Sequence, residues 1–255
     1  MNYFDLNFIS FLNQYSQASS IVNELINAFA SNELLTIAPI IALLWWYWFK
    51  NNDQERRNRK VVISTILGCI LTGLIFFALQ DIGLLFKHRL MPVCNKAISF
   101  QIPVGINPQI YKQCVHTSFP SGHAALLFSI SFGIAYISRL MGGLCLIYSL
   151  IICFPRIYLG IHYPSDIIGG AFLGAGFVYL ANLNFIRNSF TRQILKWSDY
   201  HPSSFYAVFF LISTEIAAYC ANAGAIAKVF LKLLKLLLWF FAHYPYNISK
   251  GRMLT

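Results

Sequence analysis

Six apolar runs, at about residues 34–49, 61–80, 122–138, 141–158, 165–183 and 203–223, divide the chain into greasy segments and short polar connections. Each is near the roughly 20 residues that a helix needs to cross a bilayer. Composition agrees: only 11% of the 255 residues are charged, against about a quarter in soluble domains. The expected fold class is all-α: a polytopic membrane helix bundle of about six transmembrane helices, with amphipathic interfacial helices at the two ends. No repeat, low-complexity segment or linker divides the chain. One domain is therefore expected over residues 1–255, with its motif-bearing core at about 61–183.

The formal net charge of +10 raises the question of a nucleic-acid partner. The basic residues lie in short clusters between apolar runs, which fits membrane topology rather than nucleic acid. No dinucleotide, Walker or zinc-finger pattern occurs. Lys50, Arg56, Arg57, Arg59 and Lys60 crowd the first connection, Arg139 marks another, and Arg187, Arg192 and Lys196 mark a third. By the positive-inside rule these connections are cytoplasmic. The N-terminus, the loop 81–121, the turn near 159–164 and the C-terminus then lie outside.

The first 34 residues hold no Lys or Arg, so they lack the positive n-region of a signal peptide. Asp5, Asn7, Asn13, Gln14, Gln17, Asn23, Glu24 and Asn27 make the segment too polar for an easy span. Ile21, Val22, Leu25, Ile26 and Phe29 fall at helical spacing. They describe an amphipathic helix, either lying in an interface or packed on the protein surface. In the tail, Lys228, Lys232 and Lys235 share one helical stripe among leucines and aromatics. An interfacial helix drawn to anionic membrane lipid fits this stripe, and so does a packed seventh helix with snorkelling lysines.

Two polar stretches face the outer side and open spans there. One is "FPSGHAAL", Phe119 to Leu126; the other is "FPRIYLGIHYPSD", Phe154 to Asp166. Pro120 and Pro164 suit the first turn of a helix, whose free N–H groups make an anion site. Gly122 permits close approach of backbone to a ligand. Ser121 adds a hydroxyl, and Arg156 adds a fork that matches phosphate oxygens. Of two histidines, one can act as nucleophile and the other as proton donor. A carboxylate four residues after His162 can hold its ring and fix the tautomer. The set describes phosphoryl transfer through a phosphohistidine without a metal.

These residues resemble the type-2 phosphatidic acid phosphatase superfamily. Its P-S-G-H motif is matched by Pro120, Ser121, Gly122 and His123. In its S-R-x5-H-x3-D motif, Pro155 replaces the serine while Arg156, His162 and Asp166 match. The flanking "RIYLGIHYPSDIIGGAFLGA" and the amphipathic N-terminus resemble the bacterial undecaprenyl pyrophosphate phosphatase branch. The resemblance implies an integral membrane lipid phosphatase with no cofactor and no metal. It acts at the outer face of a bacterial inner membrane on a lipid phosphate or pyrophosphate, with an undecaprenyl carrier foremost. Phosphorylated lipid A and phosphatidylglycerol phosphate are the next substrates. His162 would attack phosphorus, Asp166 would orient it, and His123 would protonate the leaving group and then activate water. Ser121, Gly122 and Arg156 would bind the phosphoryl oxygens. A lipid phosphotransferase is the alternative enzyme, and a lipid-phosphate-binding protein without turnover is the alternative of another class.

The family's first motif, K-x6-R-P, is departed from. If Pro92 is its proline, Met91 replaces the arginine and Leu84 the lysine. Lys87 and Arg89 lie nearby out of register, and they are expected to reach the phosphate in place of the missing pair. Cys94 and Cys114 share the outer loop and are expected to form a disulfide. Cys69, Cys145, Cys153 and Cys220 fall within spans and read as small hydrophobes. Glu215, in the middle of the last span, reads as a structural hydrogen-bonding group. His88 and His116 read as solvated loop residues.

Overall fold

The computed structural model describes residues 2–51, 53–81, 89–111 and 117–218, and within them the apolar runs form helices. The helices are α1 (Tyr3–Asn13), α2 (Ser20–Ser31), the single turn α3 (Glu33–Thr36), α4 (Ala38–Phe49), α5 (Glu55–Asp81), α6 (Gly122–Ile137), α7 (Arg139–Tyr158), α8 (Pro164–Ala181), α9 (Asn184–Tyr200) and α10 (Pro202–Ala217). Two 3-10 turns, Pro92–Cys94 and Pro108–Tyr111, punctuate the long loop before α6, and no strand occurs among the described residues. The fold is a helical membrane bundle. Among the described residues, three stretches are long and apolar enough to cross a bilayer: Glu55–Phe76, Arg139–Tyr158 and Pro164–Ala181. Ala38–Phe49, Gly122–Ile137 and Pro202–Ala217 are apolar but shorter. Lys87, His88, Cys114, His116, Cys220 and the lysine stripe of the tail lie outside the described residues.

At the centre of the bundle, α6 packs on α5, α7 and α8. Its Ala124, Leu127, Ile130 and Ile134 have no exposed surface. Small residues set how close the helices come. A Cβ on Gly170 would run into the Ser121 carbonyl oxygen, and one on Gly174 would run into that of Ala125. α8 therefore lies backbone to backbone against the start of α6. Interior hydroxyls close the remaining gaps, Thr72 with Ser129 at 3.3 Å and Ser131 with Ser149 at 2.9 Å. On the outside of α7, Leu140, Leu144, Ile147, Ile151 and Phe154 form an exposed stripe at helical spacing. In a membrane protein this is the lipid-facing side.

The bundle has two chemically different ends. Arg57 donates to the Tyr136 carbonyl at 3.1 Å, and the Lys60 ammonium to Asn188 Oδ1 at 3.1 Å. The basic start of α5, the end of α6 and the start of α9 thus share one end. The start of α6 and the α7–α8 turn, which carry the two polar motifs, occupy the other.

Two elements differ from the sequence reading. Residues 184–200, read there as a connection, form the helix α9. Its exposed basic residues hide a buried side of Thr191, Leu195 and Ser198, too narrow and too polar to register as an apolar run. The N-terminal segment is two helices rather than one. Asn2 and Ser19 cap them, accepting from the N–H of Asp5 at 2.8 Å and of Val22 at 3.5 Å. The amphipathicity of α2 points apolar side outward: Ile21, Val22, Leu25 and Phe29 are exposed, while Asn23 is 1% exposed.

Candidate active site

The last turn of α7, the turn after it and the first turn of α8 bring the third motif together. Gly160 adopts φ +71°, a conformation that glycine accepts without strain. The N–H groups of Ile161 and His162 both donate to the Arg156 carbonyl, at 3.0 and 3.2 Å. This reversal returns His162 towards Arg156. The second motif is stitched to the third by its backbone, because the Ser121 N–H donates to the Asp166 carbonyl at 3.0 Å. Ser121 caps α6, its hydroxyl accepting from the Ala124 N–H at 3.5 Å. The hydroxyl hydrogen remains available to donate. At Gly122 and His123 the first-turn N–H groups stand outside the intrahelical ladder.

His162 is 9% exposed, and its Nδ1 lies 2.9 Å from the Ser118 carbonyl oxygen. A carbonyl only accepts, so Nδ1 carries the hydrogen and Nε2 the lone pair. The sequence assigned this tautomer-fixing contact to Asp166. In the structure Asp166 Oδ2 is 3.8 Å from Nδ1, beyond hydrogen-bond range. Oδ2 accepts instead from the Tyr163 N–H at 2.7 Å. His123 lies buried beside Arg156 and His162. Arg156 is buried, and its Nη2 donates to the Ala30 carbonyl at the end of α2, at 2.9 Å. His162, His123, Asp166, Arg156, Ser121 and Gly122 are therefore brought together at one end of the bundle.

The structure places Arg89 differently from its expected post on the phosphate. Its guanidinium donates through Nη1 to Asp166 Oδ1 at 2.6 Å and to the Ser165 hydroxyl at 2.8 Å. Through Nη2 it donates to Asp5 Oδ2 at 2.5 Å. It also stacks over the Tyr163 ring, 4.0 Å from the centroid. Burial pushes the Tyr163 phenol above the ordinary tyrosine range, so it stays neutral and accepts from Asn95 Nδ2 at 3.3 Å. Cys94 is disulfide-bonded; Cys114, its expected partner, and Lys87 lie outside the described residues. Cys69, Cys145 and Cys153 are buried.

Sequence reasoning missed the Ser118 carbonyl, Asp5 and Ser165. A backbone acceptor leaves no mark in a sequence. Asp5 does leave one, being among only nine acids in the chain, yet it was counted only as a polar residue opposing a span.

Comparison with known proteins gives the same assignment as the motifs. The family model of the PAP2 superfamily matches residues 91–190. A bacitracin transport permease protein, BcrC of Bacillus licheniformis, is 34% identical over 97 residues, which is 37% of this chain and 48% of the relative. A putative undecaprenyl-diphosphatase, YbjG of Escherichia coli (strain K12), is 36% identical over 58 residues, which is 22% of this chain and 29% of the relative. The chain thus spans less than half the length of these curated relatives. No solved structure matches it.

Proposed function

We propose that this chain, whose residues 91–190 are a PAP2 superfamily segment, is an integral membrane lipid phosphatase. It removes the terminal phosphate of a polyprenyl pyrophosphate, or of a related lipid phosphate, through a phosphohistidine on His162. The site faces the outside of a bacterial inner membrane. Three things support this reading: the relative named a putative undecaprenyl-diphosphatase, the apolar helices, and the collection of basic residues at the end away from the motifs. The observation that carries the chemistry is the 2.9 Å contact from His162 Nδ1 to the Ser118 carbonyl. It commits Nε2 to the lone pair that a nucleophile needs.

The lone pair on His162 Nε2 forms the N–P bond as the P–O bond to the lipid breaks. The anionic phosphate of the bound lipid favours the protonated form of His123, which gives its proton to the departing oxygen. Neutral His123 then takes a proton from water, whose oxygen attacks phosphorus and breaks the N–P bond. Inorganic phosphate leaves, and both histidines return to their starting forms. The Arg156 guanidinium, the Ser121 hydroxyl and the first-turn N–H groups of α6 bear the charge that spreads over the equatorial oxygens.

The test is purified protein in detergent, offered short-chain polyprenyl pyrophosphate, polyprenyl monophosphate and phosphatidic acid. Inorganic phosphate is expected from the pyrophosphate. An acid-labile, alkali-stable phosphoprotein is expected on rapid quenching, and it should vanish in His162→Ala. No phosphate from any of the three substrates overturns the reading. Label recovered in a lipid acceptor instead of in phosphate would make the enzyme a phosphotransferase.

A further inference from the structure

We propose that Asp5 and Arg89 are positioning residues, forming with Ser165 a half-buried network that aims Asp166 at His162 and makes the N-terminal helix a working part of the active site. The inference rests on the reading just given for His162. Asp5 and Asp166 each have no exposed surface. Two buried carboxylates repel unless a cation lies between them. Arg89 is that cation, and its fork engages one carboxylate with each terminal nitrogen, at 2.6 Å and 2.5 Å. Ser165, the residue before Asp166, locks the same arrangement from the side. Its N–H donates to Asp5 Oδ1 at 3.0 Å and its hydroxyl to Asp5 Oδ2 at 2.6 Å.

The consequence for Asp166 is directional. With Oδ1 held by Arg89 and Oδ2 held by the Tyr163 N–H, the carboxylate has no rotation left. Oδ2 is thereby the oxygen kept towards His162, at 3.8 Å. There its charge favours the ring at the stage when the imidazole becomes cationic on phosphorylation. Arg89 touches carboxylates on the side of Asp166 that its sequence neighbours Ser165 and Tyr163 line. Asp5 sits on α1 and Arg89 in the long loop, both outside residues 91–190 that the superfamily model matches.

Two measurements test this on the full chain in detergent. The first is kcat and KM on short-chain polyprenyl pyrophosphate. Asp5→Asn and Arg89→Gln should each lower kcat about 10- to 100-fold, the worth of a charge-assisted hydrogen bond, with KM within about twofold. In an Asp166→Asn background, Arg89→Gln should cost no more than about threefold further, because its partner charge is gone. A raised KM with unchanged kcat in Arg89→Gln would place that residue on the substrate and overturn the proposal. So would full additivity with Asp166→Asn. Ser165→Ala keeps both ion pairs and so tests the network where loss of a charge would cost the fold; its kcat should fall about 2- to 10-fold, and an unchanged kcat refutes the network. The second measurement is amide exchange of the peptide spanning residues 159–170, which needs no activity. Asp5→Asn should raise it, and unchanged exchange overturns the proposal. If the wild-type protein hydrolyses no lipid phosphate, the proposed function falls, and the exchange experiment alone decides the network.

Discussion

The imidazole of His162 leans on a backbone carbonyl, and that decides which substitutions can reach it. No side-chain change removes the Ser118 oxygen, so Asp166→Asn leaves the tautomer in place and removes only charge. We expect Asp166→Asn to lose roughly 10- to 100-fold in kcat, with residual turnover, whereas His162→Ala falls to background while remaining folded. Phosphate release by detergent-purified, monodisperse variants checks both; full activity in His162→Ala would refute the nucleophile. At this scale the sequence was legible where spacing encodes chemistry. Arg156, His162 and Asp166 lie along one turn of chain, and short range suffices to bring them together. Arg89 was not legible. Its charge announces an anion but not which one, and its partners Asp5 and Asp166 stand 84 and 77 residues away.

Helix α8 seats on α6 only because two of its residues have no side chain. We expect Gly174→Ala to force the helices apart, at about 1–3 kcal/mol for an overpacked contact, and to lower both the thermal midpoint and the turnover. Gly143→Ala supplies the control, since a Cβ there meets nothing within 4 Å. Thermal unfolding in detergent separates the two, and an unchanged midpoint in Gly174→Ala would show that the backbones do not meet as described. Elements were legible in proportion to their greasiness. The apolar runs emerge as helices within the described residues, because lipid leaves continuous apolar stretches little alternative. The helix α9 was lost because its polar surface matches that of a loop. The N-terminal pair α1 and α2 was half seen. Its outward apolar face shows in the sequence, while its inward polar face depends on partners far along the chain.

Among the described residues, the ends of the bundle differ: Arg57 and Lys60 mark one, and His123 and His162 mark the other. A cysteine introduced at Gln109 should react with an impermeant maleimide on intact cells, and one at Arg192 only in inverted vesicles. Labelling of both from the same side would overturn the orientation. The helices α1 and α2 are held to this bundle by polar groups. Asn13 exchanges two hydrogen bonds with the backbone of Gln101, at 2.7 and 2.8 Å. Asn23 donates to the Val104 carbonyl at 3.0 Å and accepts from the Tyr158 hydroxyl at 2.6 Å. We expect Asn23→Leu to loosen α2, seen as faster proteolysis ahead of residue 33, even though every hydropathy scale scores the change as favourable to a membrane protein. Unaltered cleavage would refute this. Such a grip is strongest where water is scarce, since water is the solvent that competes for amide groups. The drier the surroundings of α1 and α2, the more firmly these amide contacts fasten the N-terminus, and with it the Ala30 carbonyl and Asp5 that hold Arg156 and Ser165 from behind.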